Sequence, residues 1–340
     1  EKNLQGILNL AVMAKNAEDY EAAEEIIAYA IEESPSPTFN LRGRHFQLGL
    51  KEKTVSGKEL EKLEQEYRSL LEEYGYTSET LDIQVDLANF MAFRLDKKQE
   101  AVALLKNLSK SNLNEFEQAK VKMATGDILV MQEKFNEALI FYSQVQHLVK
   151  NNELSQEARF KVAKTSYFKG DFEWAQTQLK VLKSSTSQLI ANDALELSLL
   201  ISDNSIEDST QAALKQYARA DLLAFQEKPT QAITVLDSVL TGHKGEKIED
   251  EALYKQAKLF EKEQDFKKAA SNYHKIIELH GKDILADNAN YFLAELYANQ
   301  LNQPEKAKEF YEQIIFNFAD SIYFVDARKK FRMLRGDNLE

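Results

Sequence analysis

Any chemistry in this chain must come from five histidines, its carboxylates and a set of regularly spaced aromatic rings, because it contains no cysteine. That absence removes disulfides, thiolate metal sites and a cysteine nucleophile together. The histidines are His45, His147, His243, His274 and His280. His274 and His280 stand six residues apart, which on a helix turns them to different faces, so they do not share a metal. His274 and Glu278, at i and i+4, read as a surface contact. The acidic run Glu249, Asp250 and Glu251 has the sign that a helix N-terminus favours, and reads as a complement to the helix dipole rather than a cation site. No Gly-rich phosphate loop, G-x-S-x-G elbow, H-E-x-x-H pair or EF-hand loop occurs. The reading is therefore of a non-enzyme, with no catalytic residue, metal ligand, cofactor or small-molecule substrate assigned.

What remains is a ladder. Met123, Phe160, Tyr217, Tyr254 and Tyr291 recur at one position, with steps of 37 from Met123 to Phe160, from Tyr217 to Tyr254 and from Tyr254 to Tyr291. One helical turn on stand Asp127, Lys164, Asp221, Lys258 and Glu295, alternating in sign. Rings flanked by such charges can grip an extended or helical segment through ring contacts and side-chain hydrogen bonds. The same rings are equally suited to packing between neighbouring elements, with the charges pairing across them. A second charged feature is a basic cluster, Arg328, Lys329, Lys330, Arg332 and Arg335, on an otherwise acidic chain. It falls on a helix expected at 321–335, with Ile322, Val325, Phe331 and Leu334 for its apolar face. Basic residues there complement the helix C-terminus, and an acidic partner or anionic headgroups are the alternative use.

The elements that must position these residues are announced by a recurring turn. It reads Asp19-Tyr20-Glu21-Ala22-Ala23, Lys134-Phe135-Asn136-Glu137-Ala138, Asp171-Phe172-Glu173-Trp174-Ala175 and Asp265-Phe266-Lys267-Lys268-Ala269, with Pro229 and Pro304 replacing the aromatic before Ala232 and Ala307. Ala101, Ala138 and Ala175 are 37 apart, as are Ala232 and Ala269, and Ala307 follows 38 later. Asp at the turn is an N-cap acceptor and Pro suits the first helical position. Each period holds two helices, with a small residue on the first (Ala11, Gly126, Ala163, Ala220, Ala257 or Ala294) that lets the pair approach closely. Between Ala175 and Ala232 the interval is 57, so an extra helix is expected at 188–202, carrying Ala194, Leu195, Leu197, Leu199 and Leu200. It reads as a spacer, with a docking edge as the alternative.

Hydrophobic residues make up 44% and charged residues 29%, a folded balance, while 11 Gly and 4 Pro leave little loop. Net charge is −12, which disfavours a nonspecific grip on nucleic acid. No apolar run is long enough to cross a bilayer, which leaves only peripheral membrane association. Chain start Glu1-Lys2-Asn3 lacks both an initiator Met and a basic-then-apolar signal, and reads as a mature form or a fragment.

The small residue, the Asp-aromatic turn and the alanine followed four residues later by a large side chain (Tyr142, Leu179, Leu236, Tyr273, Tyr311) resemble the tetratricopeptide repeat over about four fifths of the chain. The period exceeds that family's norm by about three residues and the first-helix Trp is absent. Linkers such as 282–287 and 318–323 are similar to those in repeats of bacterial envelope proteins, including periplasmic partners of outer-membrane-protein assembly and of cell-division coordination. The resemblance implies an all-α, right-handed α-solenoid of stacked helical hairpins. Its expected parts are about five hairpins over 1–186, an irregular stretch with an extra helix over 187–247, two hairpins over 248–318, and a basic capping helix and tail over 319–340. It implies a scaffold for protein partners, in the periplasm or at the outer membrane among assembly or secretion components. The alternatives are a soluble, cytoplasmic adaptor for short linear peptides and an accessory region of a larger envelope enzyme. By the same resemblance the ladder lines the concave groove. Members that clamp a terminal carboxylate carry Lys or Arg with Asn there, so the aromatic or Met residues of this chain do not form such a clamp.

Overall fold

Caps and turns act within a few residues of themselves, and helices begin where they stand. The computed structural model describes residues 2–185, 187–205 and 210–337; of the segments set out above, residues 1, 186, 206–209 and 338–340 lie outside the described residues. Eight helix pairs run α1 (Lys2–Asn16) and α2 (Tyr20–Glu32), α3 (Pro37–Thr54) and α4 (Glu59–Tyr74), α5 (Leu81–Arg94) and α6 (Lys98–Leu108), α7 (Glu115–Met131) and α8 (Phe135–Leu148), and α9 (Glu153–Lys169) and α10 (Phe172–Leu182), then, after α11 (Gln188–Asp203), α12 (Ala212–Phe225) and α13 (Pro229–Gly242), α14 (Ile248–Lys262) and α15 (Phe266–Leu279), and α16 (Ala286–Asn299) and α17 (Pro304–Asn317), with α18 (Phe324–Arg335) last. No strand occurs among the described residues.

Asp19 accepts the Ala22 N–H at 3.1 Å, and Asp171 and Asp265 accept those of Trp174 and Lys268 at 3.3 Å. Each such cap contributes about 1 kcal/mol relative to alanine. Pro229 and Pro304 open α13 and α17. Just before each of these starts a residue adopts the left-handed conformation: Glu18, Gly170, Glu227, Gln264 and Asn302. That kink lets the following N–H reach back over the helix end, as Asp265 does to the Phe260 carbonyl at 2.8 Å. Gln264, with φ of 60°, holds a conformation that suits glycine. Gln264→Gly is therefore expected to stabilise the protein by about 0.5–1 kcal/mol, read from the urea midpoint; an unchanged or lowered midpoint would contradict it.

The chain divides into two compact units, Glu1–Thr165 with Ser185–Ile190, and Ser166–Ser184 with Ala191–Glu340. Helices α1 to α8 of the first and α12 to α18 of the second each pack on their neighbours in sequence, with α5 also on α7 and α12 on α14, as in an all-α helical-repeat solenoid. Ala11 and Ala23 are fully buried with Ile27 and Ala30, so the small-residue contact sits at the heart of the first pair. Gly126 on α7 meets the ring of Tyr142, itself only 1% exposed. In the second unit one continuous core runs from Leu253 through Tyr273, Leu293 and Tyr311 to Ala327.

Two apolar faces differ from expectation. On α11, Ala194 and Leu197 are buried together with Ile201, while Leu195 and Leu199 are exposed, because a helix presents only one stripe to its neighbours. On α18 the buried face is Ala327, Phe331 and Leu334; Ile322 and Val325 are about four-fifths exposed. The helix starts at Phe324, which leaves Ile322 in the preceding turn, and i, i+4, i+7 spacing selects Ala327 in place of Val325.

Candidate protein-binding ladder

In the first compact unit the ladder residues are Met123 on α7 and Phe160 and Lys164 on α9. Met123 is buried, and Phe160 and Lys164 are half-buried. Asp127, one turn beyond Met123, accepts the Tyr142 hydroxyl at 2.7 Å and Lys161 Nζ at 2.9 and 3.0 Å. Burial opposes the Lys161 charge, but the Asp127 carboxylate outweighs it and holds the ammonium above its ordinary range. Burial, with the Asp127 charge, pushes the Tyr142 phenol well up. The polar end of a buried ring is thus satisfied at the carboxylate that the ladder pattern had marked.

In the second unit, Tyr217 on α12 is only 7% exposed, and burial pushes its phenol well up. Asp221, a turn further, is ion-paired with Lys255 of α14. Tyr254 is half-buried, its ring centroid 6.0 Å from Tyr273 and 6.2 Å from Phe292. Lys258 places Nζ 3.1 Å from the centroid of Phe292 and 3.3 Å from Glu261. Burial among these rings lowers its pKa, and Glu261 only partly offsets that. Tyr291 stacks on Tyr323 with centroids 4.2 Å apart, donates to Asp326 at 2.6 Å and accepts from Lys330 at 3.0 Å. Burial, then the Asp326 hydrogen bond, pushes its phenol up to about 12. Glu295 receives Lys330 at 2.7 Å and the Tyr311 hydroxyl.

One arrangement occurs once in the first unit and twice in the second. The acid of a ladder step is held by a lysine two helices further along the chain, Lys161 on Asp127, Lys255 on Asp221 and Lys330 on Glu295, at sequence offsets of 34, 34 and 35. Sequence reasoning passed over Lys161 and Lys255; their near-constant offset was the signal that could have found them. These clasps fix the three acids, while Phe160, Tyr254 and Tyr291 each keep part of their ring surface exposed.

The basic cluster on α18 is divided by its neighbours. Lys330 turns inward to Tyr291, Glu295 and Asp326, while Arg332 and Arg335 both bind Asp337 just past the helix end. Arg328 and Lys329 are exposed and make no ion pair among the described residues. Of the histidines, His274 bonds the Tyr297 hydroxyl at 2.8 Å and packs edge-on to Phe310, with Glu278 acting on it through its charge. Burial, with Lys306, lowers its pKa. In the acidic run, Glu249 accepts the N–H of Gly245 in the preceding turn at 2.8 Å and lies 3.5 Å from His280, and Asp250 accepts the Glu251 N–H at 2.8 Å. Among the described residues, the charges acting on the Glu251 carboxylate are those of Asp250, Glu196 and Asp203. Among the described residues no group of three or more His, Asp or Glu could hold a metal ion, and no helix is long and apolar enough to cross a membrane.

The tetratricopeptide repeat family model matches residues 251–283 and 289–321, the pairs α14 with α15 and α16 with α17. Among solved structures, the chain is similar to a tetratricopeptide repeat protein from Parabacteroides merdae, at 13% identity and a TM-score of 0.40 over 91% of this chain and 99% of that one. It is similar to the apo form of RapI at 12% identity and a TM-score of 0.43, covering 98% and 94% of the two chains. A third likeness is to pilF of Pseudomonas aeruginosa, at 13% identity and a TM-score of 0.32 over 76% and 97%. No curated protein matches the chain in sequence.

Proposed function

We propose that this chain, a tetratricopeptide-repeat protein, is a non-catalytic scaffold that holds protein partners of a multiprotein assembly, with the bacterial envelope as its setting. The observation that carries the reading is the clasped ladder. Met123 and Phe160 in the first unit and Tyr217, Tyr254 and Tyr291 in the second stand at one fixed position of successive first helices, and the neighbouring acids are pinned by Lys161, Lys255 and Lys330. A surface held this way loses little side-chain entropy when a partner docks, which is the physical advantage of preorganisation. The longer period and the linkers at 282–287 and 318–323 support the envelope as the setting through their resemblance to repeats found there.

The test is residue-level crosslinking of the full chain to its partners in membranes of the source organism, read by mass spectrometry. Crosslinks should concentrate on α7, α9, α12 and α14 and join outer-membrane or secretion components at stoichiometric yield. Crosslinks confined to the second helices of the pairs would remove the ladder as the contact surface. Only cytoplasmic partners would remove the envelope setting.

A further inference from the structure

In the second compact unit a cavity of about 420 Å³ opens between α15, α16 and α17, and no ladder residue lines it. Sites that hold a small molecule or a side chain span about 300–1,000 Å³. Asn290 of α16 stands in its wall, only 2% exposed, and its Oδ1 has no hydrogen-bond partner among the described residues. The Nδ2 of the same amide is spent on the Ala286 carbonyl at 2.8 Å. A buried acceptor normally finds a donor, so this one points to a donor supplied by a guest. Asn204 Oδ1 is in the same condition, but Asn204 lines a cavity of about 20 Å³, room for about one water. The apolar walls beside Asn290 come from Ile277, Phe310 and Phe318, all half-buried. Phe310 is held in place by stacking on Tyr297, with centroids 5.8 Å apart. Glu309, exposed on α17, is the one charged residue of the lining and makes no ion pair among the described residues.

We propose that this cavity receives an arginine side chain from a protein partner, the guanidinium donating to Asn290 Oδ1 and to the Glu309 carboxylate and the stem lying along Phe310, Ile277 and Phe318. This rests on the reading of the chain as one that binds proteins, and goes beyond it by placing a contact on the second helices α15 and α17, away from the ladder. Charge complementarity selects the guest. The lining carries one carboxylate and no cation, so a cation is drawn in and an anion is opposed. A metal ion is not the occupant, because no group of three or more His, Asp or Glu among the described residues could hold one.

The shape of the head decides between the two basic side chains. The two acceptors stand on different helices, α16 and α17, and a guanidinium carries donors on three nitrogens in a fixed plane, whereas an ammonium is a single point of charge. The methylene stem of either would lie against the ring and aliphatic walls.

The experiment is a titration of the full chain with acetyl-Ala-Arg-Ala-amide, and with its lysine and norleucine counterparts, followed by nuclear magnetic resonance. Line broadening of the peptide gives the affinity, and the side-chain amide signal of Asn290 in ¹⁵N-asparagine-labelled protein, assigned through Asn290→Ala, gives the place. The arginine peptide should move that signal and bind about threefold more tightly than the lysine peptide and about tenfold more tightly than the norleucine one. Asn290→Ala should weaken binding about tenfold and Glu309→Gln about threefold. Glu72→Gln, an equal charge change on an exposed residue of α4, should leave it unchanged. Glu309 is exposed, so Glu309→Gln keeps the fold and carries the test even where Asn290→Ala destabilises it. Four results would overturn the proposal: an unmoved Asn290 signal, which leaves its acceptor to water alone; norleucine binding as well as arginine, which makes the cavity an apolar slot; lysine binding as well as arginine; or equal weakening by Glu309→Gln and Glu72→Gln. If the peptide fails while crosslinks still map to the ladder, this inference falls and the scaffold reading stands.

Discussion

Glu251→Gln is expected to flatten the loss of stability that the wild type shows as pH rises, with a gain on the order of 2–4 kcal/mol at pH 9 relative to pH 4. The folded carboxyl titrates at about 8 against an ordinary value of 4.5. Between those two values the folded state keeps a proton that the unfolded state has released, so each rise in pH favours unfolding. Below 4.5 both states are protonated and the residue contributes nothing. Above about 8 the folded state must carry an unpaired charge beside Glu196, Asp203 and Asp250, and the full cost is present. The upper limit from the shift is about 5 kcal/mol, and partial exposure of the side chain reduces it. Glutamine keeps the shape and has no charge to acquire. The single tryptophan, Trp174, lies in the same compact unit, so its fluorescence in urea titrations from pH 4 to 9 reports the relevant transition. Parallel stability curves for the two proteins would refute the assignment.

Gly126→Ala sets two effects against each other, and the loss is expected to win by about 2 kcal/mol. Alanine in the interior of α7 gains about 1 kcal/mol of helix propensity. Its Cβ, however, would lie 2.4 Å from Cε1 and 2.8 Å from Cζ of Tyr142. That ring has nowhere to go, being 1% exposed and tethered through its hydroxyl to Asp127 at 2.7 Å. Overpacking of this kind in a filled core costs about 1–3 kcal/mol or more. Tyr142→Leu in the Gly126→Ala background should recover part of the loss, since Leu236 fills the matching place on α13 where α12 carries Ala220. A coupling of about 1–2 kcal/mol between the two positions is expected from a double-mutant cycle on urea unfolding. Gly126→Ala as stable as the wild type would show that α7 and α8 separate freely.

Much of the fold was legible residue by residue. Asp19, Asp171 and Asp265 capped the helices they were expected to cap, and Pro229 and Pro304 opened theirs. The extra helix was found at Gln188–Asp203 from a 57-residue interval alone. These features depend on capping, φ restriction and the 3.6-residue period, which act within one or two turns and so survive in any tertiary context. The position and spacing of the ladder were determined in the same way.

Only the tertiary structure decided which members of that ladder are buried or paired. Tyr217 and Tyr291 share a register, yet Tyr217 is buried while Tyr291 is stacked on Tyr323 and bonded to Asp326. Lys330 looked like part of a basic patch and is spent on Glu295, 35 residues away. Glu249 and Glu251 are two residues apart in one acidic run, and one accepts the Gly245 N–H of the preceding turn while the charges acting on the other are those of Asp250, Glu196 and Asp203. Pairing and burial depend on which side chains the neighbouring helices bring within a few ångströms, and that is set by stacking across some 34 residues of chain rather than by any local pattern.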